Sequence, residues 1–354
     1  MQRIVQLTPP ALSAEHIKEK IICIRAHRER IFQIDAQKLH DKLIIHNYGQ
    51  GGAGWTFLFG CVQEAIRKFE HEVVQNSHYK NKPIAVIGAG CYGLLTAIML
   101  ARKGHRVRII AKETENLPSH KAAGLFFPRP RKCSTQEEIA QFYARGMESY
   151  SAYLQIIDGS HPFINRGPQL LPAYFGREID PGFGPYIAAG LIKQPEAVTI
   201  NFGNSKNYDA LEHRIVYLNA TILMQELWRT IKELGISIIK QEIANFADIE
   251  ESIIFNCAGL GAKKLTGDAK IIPVQGHLIT LQQQPIEQLQ YLINFQVTMT
   301  DERGGHREEI IYFAPKGDGI VGTTFLRGTD SPTANQHEFD RLIERCRNFF
   351  GTNF

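Results

Sequence analysis

The sequence predicts an α/β fold made of two interleaved domains. At three places a short apolar segment runs into a glycine-rich turn and then into a helix-like stretch, a pattern typical of parallel strands joined by helices. The chain has 354 residues, of which 44% are hydrophobic. It is therefore long enough for a large core, and its length favours two domains.

The second of these turns has the most specific pattern. The apolar segment 84–87 leads into GAGCYG at residues 88–93, then into a predicted helix over 94–103 and a predicted strand over 106–111. GxGxxG between a strand and a helix predicts dinucleotide binding by a Rossmann-like domain, and the alternative is a tight turn that only packs helix against sheet. The apolar run 84–101 is about as long as a membrane span, but its glycines favour a strand, a turn and a helix.

The other two turns repeat this arrangement. Residues 42–45 form a predicted strand, followed by four glycines within 49–54 and a helix-like stretch over 55–69. Residues 253–256 form another predicted strand, followed by CAGLG and a short helical stretch from Ala262. Each turn offers backbone N–H groups at a helix N-terminus, where negative charge is favoured. Because a pyrophosphate needs only one such turn, the three turns together indicate a long ligand with a second electron-rich end, which a flavin supplies. Residues 49–54 taken alone could also be a flexible loop.

Composition narrows the class of protein further. The net charge of +4 comes from scattered Lys and Arg without a long basic run, so no nucleic-acid partner is expected. The six cysteines are far apart and form no CxxC pair, which favours reduced thiols and predicts no metal site. Residues 1–20 do not have the pattern of a signal peptide, so we expect a cytoplasmic protein without a membrane span.

Several segments resemble those of one enzyme family. Residues 44–56, IIHNYGQGGAGWT, with Gly60 after them, resemble the signature of D-amino-acid oxidases and D-aspartate oxidases, although Val62 stands where the family usually has Ala. RAHR at 25–28 resembles the family's Arg-Pro-x-Arg segment, with Ala26 in place of Pro. AAGL at 122–125, NCAG at 256–259 and YFAP at 312–315 extend the similarity over most of the chain.

The resemblance implies an FAD-dependent amine oxidoreductase. In such an enzyme the Cα hydride of a D-amino acid passes to flavin N5, the imine hydrolyses to a keto acid, and dioxygen or another acceptor reoxidises the flavin; no protein base is required. Arg25 would clamp the substrate carboxylate, Tyr312 would share it, and the Gly52 carbonyl would accept from the amine. The alternatives are a surface position for Arg25 and a core position for Tyr312.

The resemblance and the turns together imply a set of cofactor-binding residues. Lys112 stands where a ribose-binding acid is expected, with Glu113 beside it. Trp55 could also be a core residue of the helix that follows. The candidate FAD-binding residues are Gly51, Gly52, Gly54, Trp55, Thr56, Gly88, Gly90, Gly93, Lys112, Glu113, Ala122, Ala123, Gly124, Leu125, Ala258 and Gly259.

The order of the segments differs from that of the family. There the Arg and HNYG segments come last, whereas here they precede GxGxxG, which indicates a circular permutation with the polar stretch 70–83 as linker. Such a permutation requires that Arg25 and Gly52 lie on opposite ends of one substrate pocket. A second substrate-facing Tyr of the family aligns with Glu308, so the cover over the substrate is expected to differ.

The predicted domains are both discontinuous. Residues 36–127 and 223–262 would form the FAD-binding Rossmann-like domain, and residues 1–35, 128–222 and 263–354 the mixed-sheet substrate domain. Two other functions stay open: oxidation of glycine, sarcosine or another secondary amine, and a flavin-binding scaffold without activity. The sequence does not decide the substrate, the electron acceptor or the oligomeric state.

Overall fold

The computed structural model describes residues 2–300, 306–331, 333 and 335–352. Its strands, in chain order, are β1 (Arg3–Gln6), β2 (Ile17–Arg28), β3 (Gln33–Leu39), β4 (Lys42–Tyr48), β5 (Ile84–Ile87), β6 (Val107–Ala111), β7 (Pro168–Phe175), β8 (Glu196–Asn201), β9 (Asn207–Leu218), β10 (Ser237–Lys240), β11 (Ile253–Asn256), β12 (Ile271–Leu281), β13 (Leu292–Thr300), β14 (His306–Ala314), β15 (Ile320–Gly322) and β16 (Leu326–Arg327). The helices are α1 (Leu58–Gln75), α2 (Cys91–Arg102), α3 (Pro118–Lys121), α4 (Gln136–Ile157), α5 (Gly184–Ala188), α6 (Ala220–Glu233), α7 (Ala262–Thr266) and α8 (Gln336–Phe350).

Six strands form a sheet that brings the glycine-rich turns together. Its order is β10-β6-β5-β11-β4-β3, and every neighbouring pair is parallel except β3 and β4. Asn256 at the end of β11 is level with His46 on β4 and Ile87 on β5. The three turns therefore leave the same carboxyl edge of the sheet, where open α/β sheets bind ligands.

The other strands form a mixed sheet of ten strands within the described residues. Its order is β1-β8-β9-β7-β13-β14-β15-β12-β16, and β2 pairs with β12. β2 runs antiparallel to β12 over almost its whole length, so Arg25 lies inside a twelve-residue strand. The fold class is the predicted α/β arrangement of two sheets, while the proposed domain boundaries stay a prediction.

The helix after the first turn differs from the prediction at both ends. It was predicted from residue 55, but the Gly54 carbonyl accepts from the Tyr92 hydroxyl at 2.9 Å, and the Leu58 amide donates to Trp55 instead. The regular α-helix therefore begins at Leu58. At the other end α1 continues through Gln75, and Val73 packs against the core, so the first part of the predicted linker 70–83 is helical and residues 76–83 lie outside the helix.

The apolar segment 84–101 forms β5, the turn and most of α2, as predicted. Its strand is fully buried, and α2 is buried over most of its length. Among the described residues, the helices include none that is long and apolar enough to cross a membrane.

One buried histidine makes stability depend on pH. His213 on β9 is 1% exposed, its two ring nitrogens have no hydrogen-bond partner among the described residues, and it packs against Phe175 and Phe183. Burial lowers the pKa of His213 from 6.5 to about 4. Between these two values the unfolded chain binds the proton and the folded chain does not, so stability falls as the pH falls from 6.5 towards 4.

We therefore expect His213→Leu to be less sensitive to acid than the wild type. The buried, neutral His213 ring lowers the free energy of unfolding by about 2 kcal/mol at about pH 5 and by almost nothing at about pH 8. Urea unfolding at both pH values measures the difference, and His337→Leu, at an exposed position on α8, is the control. An equal stability difference between wild type and His213→Leu at the two pH values would contradict the prediction.

Candidate active site

A cavity of about 1520 Å³ opens where the carboxyl edge of the six-stranded sheet faces the ten-stranded sheet. All three glycine-rich turns line it, together with side chains from β2, β12, β13 and β14. Small-ligand pockets usually measure about 300 to 1,000 Å³. The cavity is therefore large enough for a dinucleotide and a small substrate together.

The turn between β5 and α2 leaves no room for side chains at two of its glycines. Gly88 has φ +102°, and a Cβ there would lie 2.5 Å from the Cys257 carbonyl oxygen. A Cβ at Gly93 would lie 1.9 Å from the Gly88 carbonyl oxygen. Gly88 and Gly90 border the cavity and Gly93 does not, so the structure gives Gly93 the role of packing α2 under the turn.

The turn after β4 enters the cavity next to the first. Gly51–Ala53 form a single 3-10 turn, and every predicted position of this segment, from Gly51 to Thr56, borders the cavity. The Trp55 indole donates to the Ser119 carbonyl at 3.1 Å, and the Thr56 hydroxyl accepts from the Phe127 amide at 3.2 Å. These bonds hold the turn against the segment that contains residues 122–125.

Residues 122–125 form another part of the cavity wall. The predicted positions Ala122, Ala123, Gly124 and Leu125 all border the cavity, as do Ala258 and Gly259 of the third turn. The Lys316 ammonium donates to the carbonyls of His120 and Ala122, at 2.5 and 2.8 Å. Burial lowers the pKa of Lys316 to about 8.

The far end of the cavity follows β6. Lys112 and Glu113 both border it. The Lys112 ammonium pairs with Glu242 at 3.1 Å, and both side chains are exposed. The Lys112 side chain is thus engaged with a protein carboxylate, whereas no ion pair of Glu113 is found among the described residues.

Arg25 projects into the cavity from β2. Its Nη1 donates to the Thr324 carbonyl at 3.2 Å and its Nη2 to the Thr323 hydroxyl at 2.7 Å, and its guanidinium lies 4.8 Å from the Phe325 ring centre. The guanidinium passes so close to Gly276 that a Cβ there would lie 2.2 Å from Nη2. Burial lowers the pKa of Arg25, and no carboxylate of the described residues lies within 4 Å of it.

A buried link supports the residues that hold Arg25. Arg345 on α8 is 2% exposed, donates to the Thr323 carbonyl at 2.8 Å and pairs with Glu309. The Thr324 hydroxyl bonds the His277 ring at 2.6 Å. The orientation of Arg25 is therefore fixed from two directions.

Tyr312 and Gly52 lie in the same cavity as Arg25. Tyr312 on β14 is 7% exposed, and its hydroxyl has no hydrogen-bond partner among the described residues. Burial raises its pKa. A Cβ at Gly52 would lie 3.6 Å from Arg25 Cδ, so these two residues are adjacent and not on opposite ends of the pocket as predicted.

Two functional candidates were missing from the sequence prediction. His27 and Arg131 border the cavity, and Arg131 Nη1 donates to His27 Nδ1 at 2.8 Å. The two-residue period of β2 places Cys23, Arg25 and His27 on one side of the strand, so the strand pattern could have identified His27. Arg131 lies in a Pro-Arg-Pro-Arg segment that reads as exposed chain, and no local signal shows that it turns inward.

Comparison with known proteins gives the family. The model of the DAO family, described as FAD dependent oxidoreductase, matches residues 83–353. The chain belongs to this family. The match begins one residue before β5, so the segments that contain Arg25 and the first glycine turn lie outside it, and the circular permutation stays a prediction.

Curated relatives of the chain agree with this family. The D-amino-acid oxidase of Streptomyces coelicolor is 25% identical over 269 residues, which are 74% of this chain and 76% of the relative. The D-aspartate oxidase of Homo sapiens is 28% identical over 214 residues, which are 56% of this chain and 59% of the relative.

Two crystal structures have the same fold. Glycine oxidase from Bacillus cereus is 16% identical, with a TM-score of 0.54 over 75% of this chain and 77% of that one. Iminodiacetate oxidase from Chelativorans sp. BNC1 is 14% identical, with a TM-score of 0.53 over 76% and 79%.

This FAD dependent oxidoreductase has a cavity that fits its cofactor. Two glycine-rich turns, at residues 49–54 and 88–93, face it at the carboxyl edge of the sheet, and a Cβ at Gly88 would collide with the third turn. Backbone N–H groups and the start of α2 suit a pyrophosphate. The cavity is also long enough to continue from Lys112 and Glu113 to Arg25 and Tyr312.

Proposed function

We propose that this FAD dependent oxidoreductase oxidises the amine of a D-amino acid to an imine, which hydrolyses to a keto acid. The observation that carries the proposal is the Arg25 guanidinium, which shares the cavity with the glycine turns and lacks a carboxylate among the described residues. A buried charge is costly unless it is paired. A substrate carboxylate would supply that pair.

The chain's own residues would fix the substrate at three points. Arg25, held by Thr323 and Thr324, would take the carboxylate, with geometry as well as charge. The Tyr312 hydroxyl, which has no hydrogen-bond partner in the part of the chain that the structure describes, can donate to the same carboxylate. Gly52 adjoins Arg25, and its carbonyl would accept from the amine. Such fixation accounts for much of the rate enhancement in reactions between bound partners.

The cofactor would lie along the remaining wall. Gly88 and Gly90 would hold the pyrophosphate over a turn that Gly93 packs against α2, and residues 51–56 with 122–125 would hold the flavin ring. Ala258 and Gly259 would border the same ligand, and Lys112 or Glu113 the ribose. When bound, the flavin accepts the hydride that the substrate loses.

The D configuration of the substrate is proposed from the relatives and not from the geometry of the cavity. Relatives with 25% and 28% identity are a D-amino-acid oxidase and a D-aspartate oxidase. The likeness to glycine oxidase and iminodiacetate oxidase is one of fold alone. Oxidation of a secondary amine is therefore the alternative that the experiment must distinguish from oxidation of a D-amino acid.

Anaerobic reduction of the bound flavin tests the proposal. A panel of D- and L-amino acids, glycine and sarcosine is mixed with the purified yellow protein, and the loss of flavin absorbance is followed. We expect at least one D-amino acid to bleach the flavin faster than its L-enantiomer and faster than sarcosine. Faster bleaching by sarcosine would favour a secondary amine oxidase, and no bleaching with any amine would favour a scaffold; either result would overturn the proposal.

A further inference from the structure

Arg131 is another cation that borders the cavity and has no carboxylate partner among the described residues. It is partly buried, and burial lowers its pKa to about 10. Its Nη2 donates to the Gln50 carbonyl at 2.6 Å and its Nη1 to His27 Nδ1 at 2.8 Å. Both acceptors are neutral, and no Asp or Glu of the described residues forms an ion pair with it. Its charge is therefore positioned but not balanced.

His27 accepts this hydrogen bond because its ring is neutral. Burial, together with the charge of Arg131, lowers the pKa of His27 to about 4. A protonated ring would donate at both nitrogens and would repel the guanidinium. Near neutral pH the pair therefore has one positive charge, and it belongs to Arg131.

Arg131 and Arg25 are aligned along one edge of the first glycine turn. Gly52 adjoins Arg25, a Cβ at Gly51 would lie 3.0 Å from His27 Nδ1, and Gln50 binds Arg131. Because His27 follows Arg25 by two positions on β2, their Cα atoms are about 6.6 Å apart along the strand. The two cations thus adjoin neighbouring residues of one turn, Arg25 at Gly52 and Arg131 at Gln50, and both border the same cavity.

The residues around Arg131 add positive charge. Arg129 and Lys132 border the cavity on either side of it, and both are exposed. Arg327 also borders the cavity, but it pairs with Glu29. Such a rim attracts anions and disfavours cationic side chains.

From this geometry we infer that Arg131, held by His27 and Gln50, binds a second acidic group of the substrate, so that the preferred substrates are amino acids with an acidic side chain. The inference rests on the proposed function, since it assumes that Arg25 takes the first carboxylate. Arg131 would act as a specificity-determining residue: it contacts the side-chain acid and takes no part in the bond that breaks. A charge-assisted hydrogen bond of this kind is equivalent to about tenfold to a hundredfold in affinity.

The first test measures binding without turnover. Succinate and butyrate have the same number of carbons and differ by one carboxylate, and their binding to the FAD-loaded protein is followed by calorimetry. We expect succinate to bind at least about tenfold more tightly than butyrate, and Arg131→Gln to remove that difference. Arg131→Lys should retain part of it, and Arg214→Gln, which removes an exposed arginine of β9, should retain all of it.

A second test separates the inference from the proposed function. D-aspartate and D-asparagine have nearly the same shape and differ in charge, and each is used to reduce the flavin anaerobically. Faster reduction by D-aspartate, lost in Arg131→Gln, supports the inference. Equal reduction by both amino acids would overturn the inference and leave the proposed function standing, whereas no reduction by any D-amino acid would overturn both.

The affinity of the Arg131→Gln variant for FAD tests whether Arg131 binds the cofactor instead of the substrate. We expect it to equal that of the wild type, because the inference assigns the guanidinium to the substrate. A loss of FAD affinity together with an unchanged ratio of succinate to butyrate binding would assign Arg131 to a cofactor phosphate instead and would overturn the inference.

Discussion

The Gly93→Ala variant should bind FAD about tenfold to a hundredfold more weakly than the wild type. The added Cβ would lie 1.9 Å from the Gly88 carbonyl oxygen, which is backbone and cannot rotate away. Either α2 must move from β5 or the turn must open, and overpacking of this kind costs about 1 to 3 kcal/mol. Because Gly88 and Gly90 border the cavity, the displacement falls on the residues proposed to hold the pyrophosphate. Titration of the apoprotein with FAD, followed by flavin fluorescence, measures the loss.

The control for this prediction is Gly184→Ala. Gly184 is exposed at the start of α5, and a Cβ there would meet nothing within 4 Å. Its affinity for FAD should equal that of the wild type. Circular dichroism of both variants shows whether the fold survives. A folded Gly93→Ala protein with wild-type FAD affinity would mean that the turn does not hold the cofactor.

The sequence predicts the cofactor side of the cavity well because its signals are local. A turn that must bring backbone close to a ligand needs glycine, so Gly88 and its neighbours are visible in the sequence itself. The apolar strands before the turns are equally local, and β5, β11 and α7 lie where they were predicted. What the sequence does not show is that β4 neighbours β11 in the sheet, although this pairing brings the first turn to the others.

The substrate side is less predictable because it depends on contacts between distant segments. The length of β2 is set by its partner β12, some 250 residues later, and not by its own composition. The inward turn of Arg131 depends on His27 and on the carbonyl of Gln50. The late start of α1 depends on the Tyr92 hydroxyl. In each case a hydrogen bond from elsewhere in the chain overrides the local preference.

The support of Arg25 also comes from distant segments, and it makes a graded test possible. The guanidinium occupies the space that a side chain at residue 276 would need, and α8 holds its partner Thr323 through Arg345. Gly276→Ala therefore displaces the guanidinium without removing its charge, whereas Arg25→Met removes the charge and keeps much of the side-chain volume. Two variants of the same contact, one steric and one electrostatic, can thus be compared.

Arg25→Met should lower kcat/KM for the best D-amino acid by about a hundredfold to a thousandfold, because loss of one partner of a buried, hydrogen-bonded charge pair typically costs about 2 to 5 kcal/mol. Arg25→Lys should lose less than Arg25→Met, since a lysine keeps the charge but not the planar pair of donors. Gly276→Ala should lie between the wild type and Arg25→Met.

Stopped-flow reduction of the flavin across substrate concentrations measures these effects, and Arg214→Met, at an exposed position on β9, is the control. FAD affinity should stay unchanged in all four variants, because Arg25 is assigned to the substrate. If Arg25→Met reduced its flavin as fast as the wild type while it bound FAD normally, the carboxylate would have to bind elsewhere in the cavity, and Arg131, which also borders it, would be the next guanidinium to test.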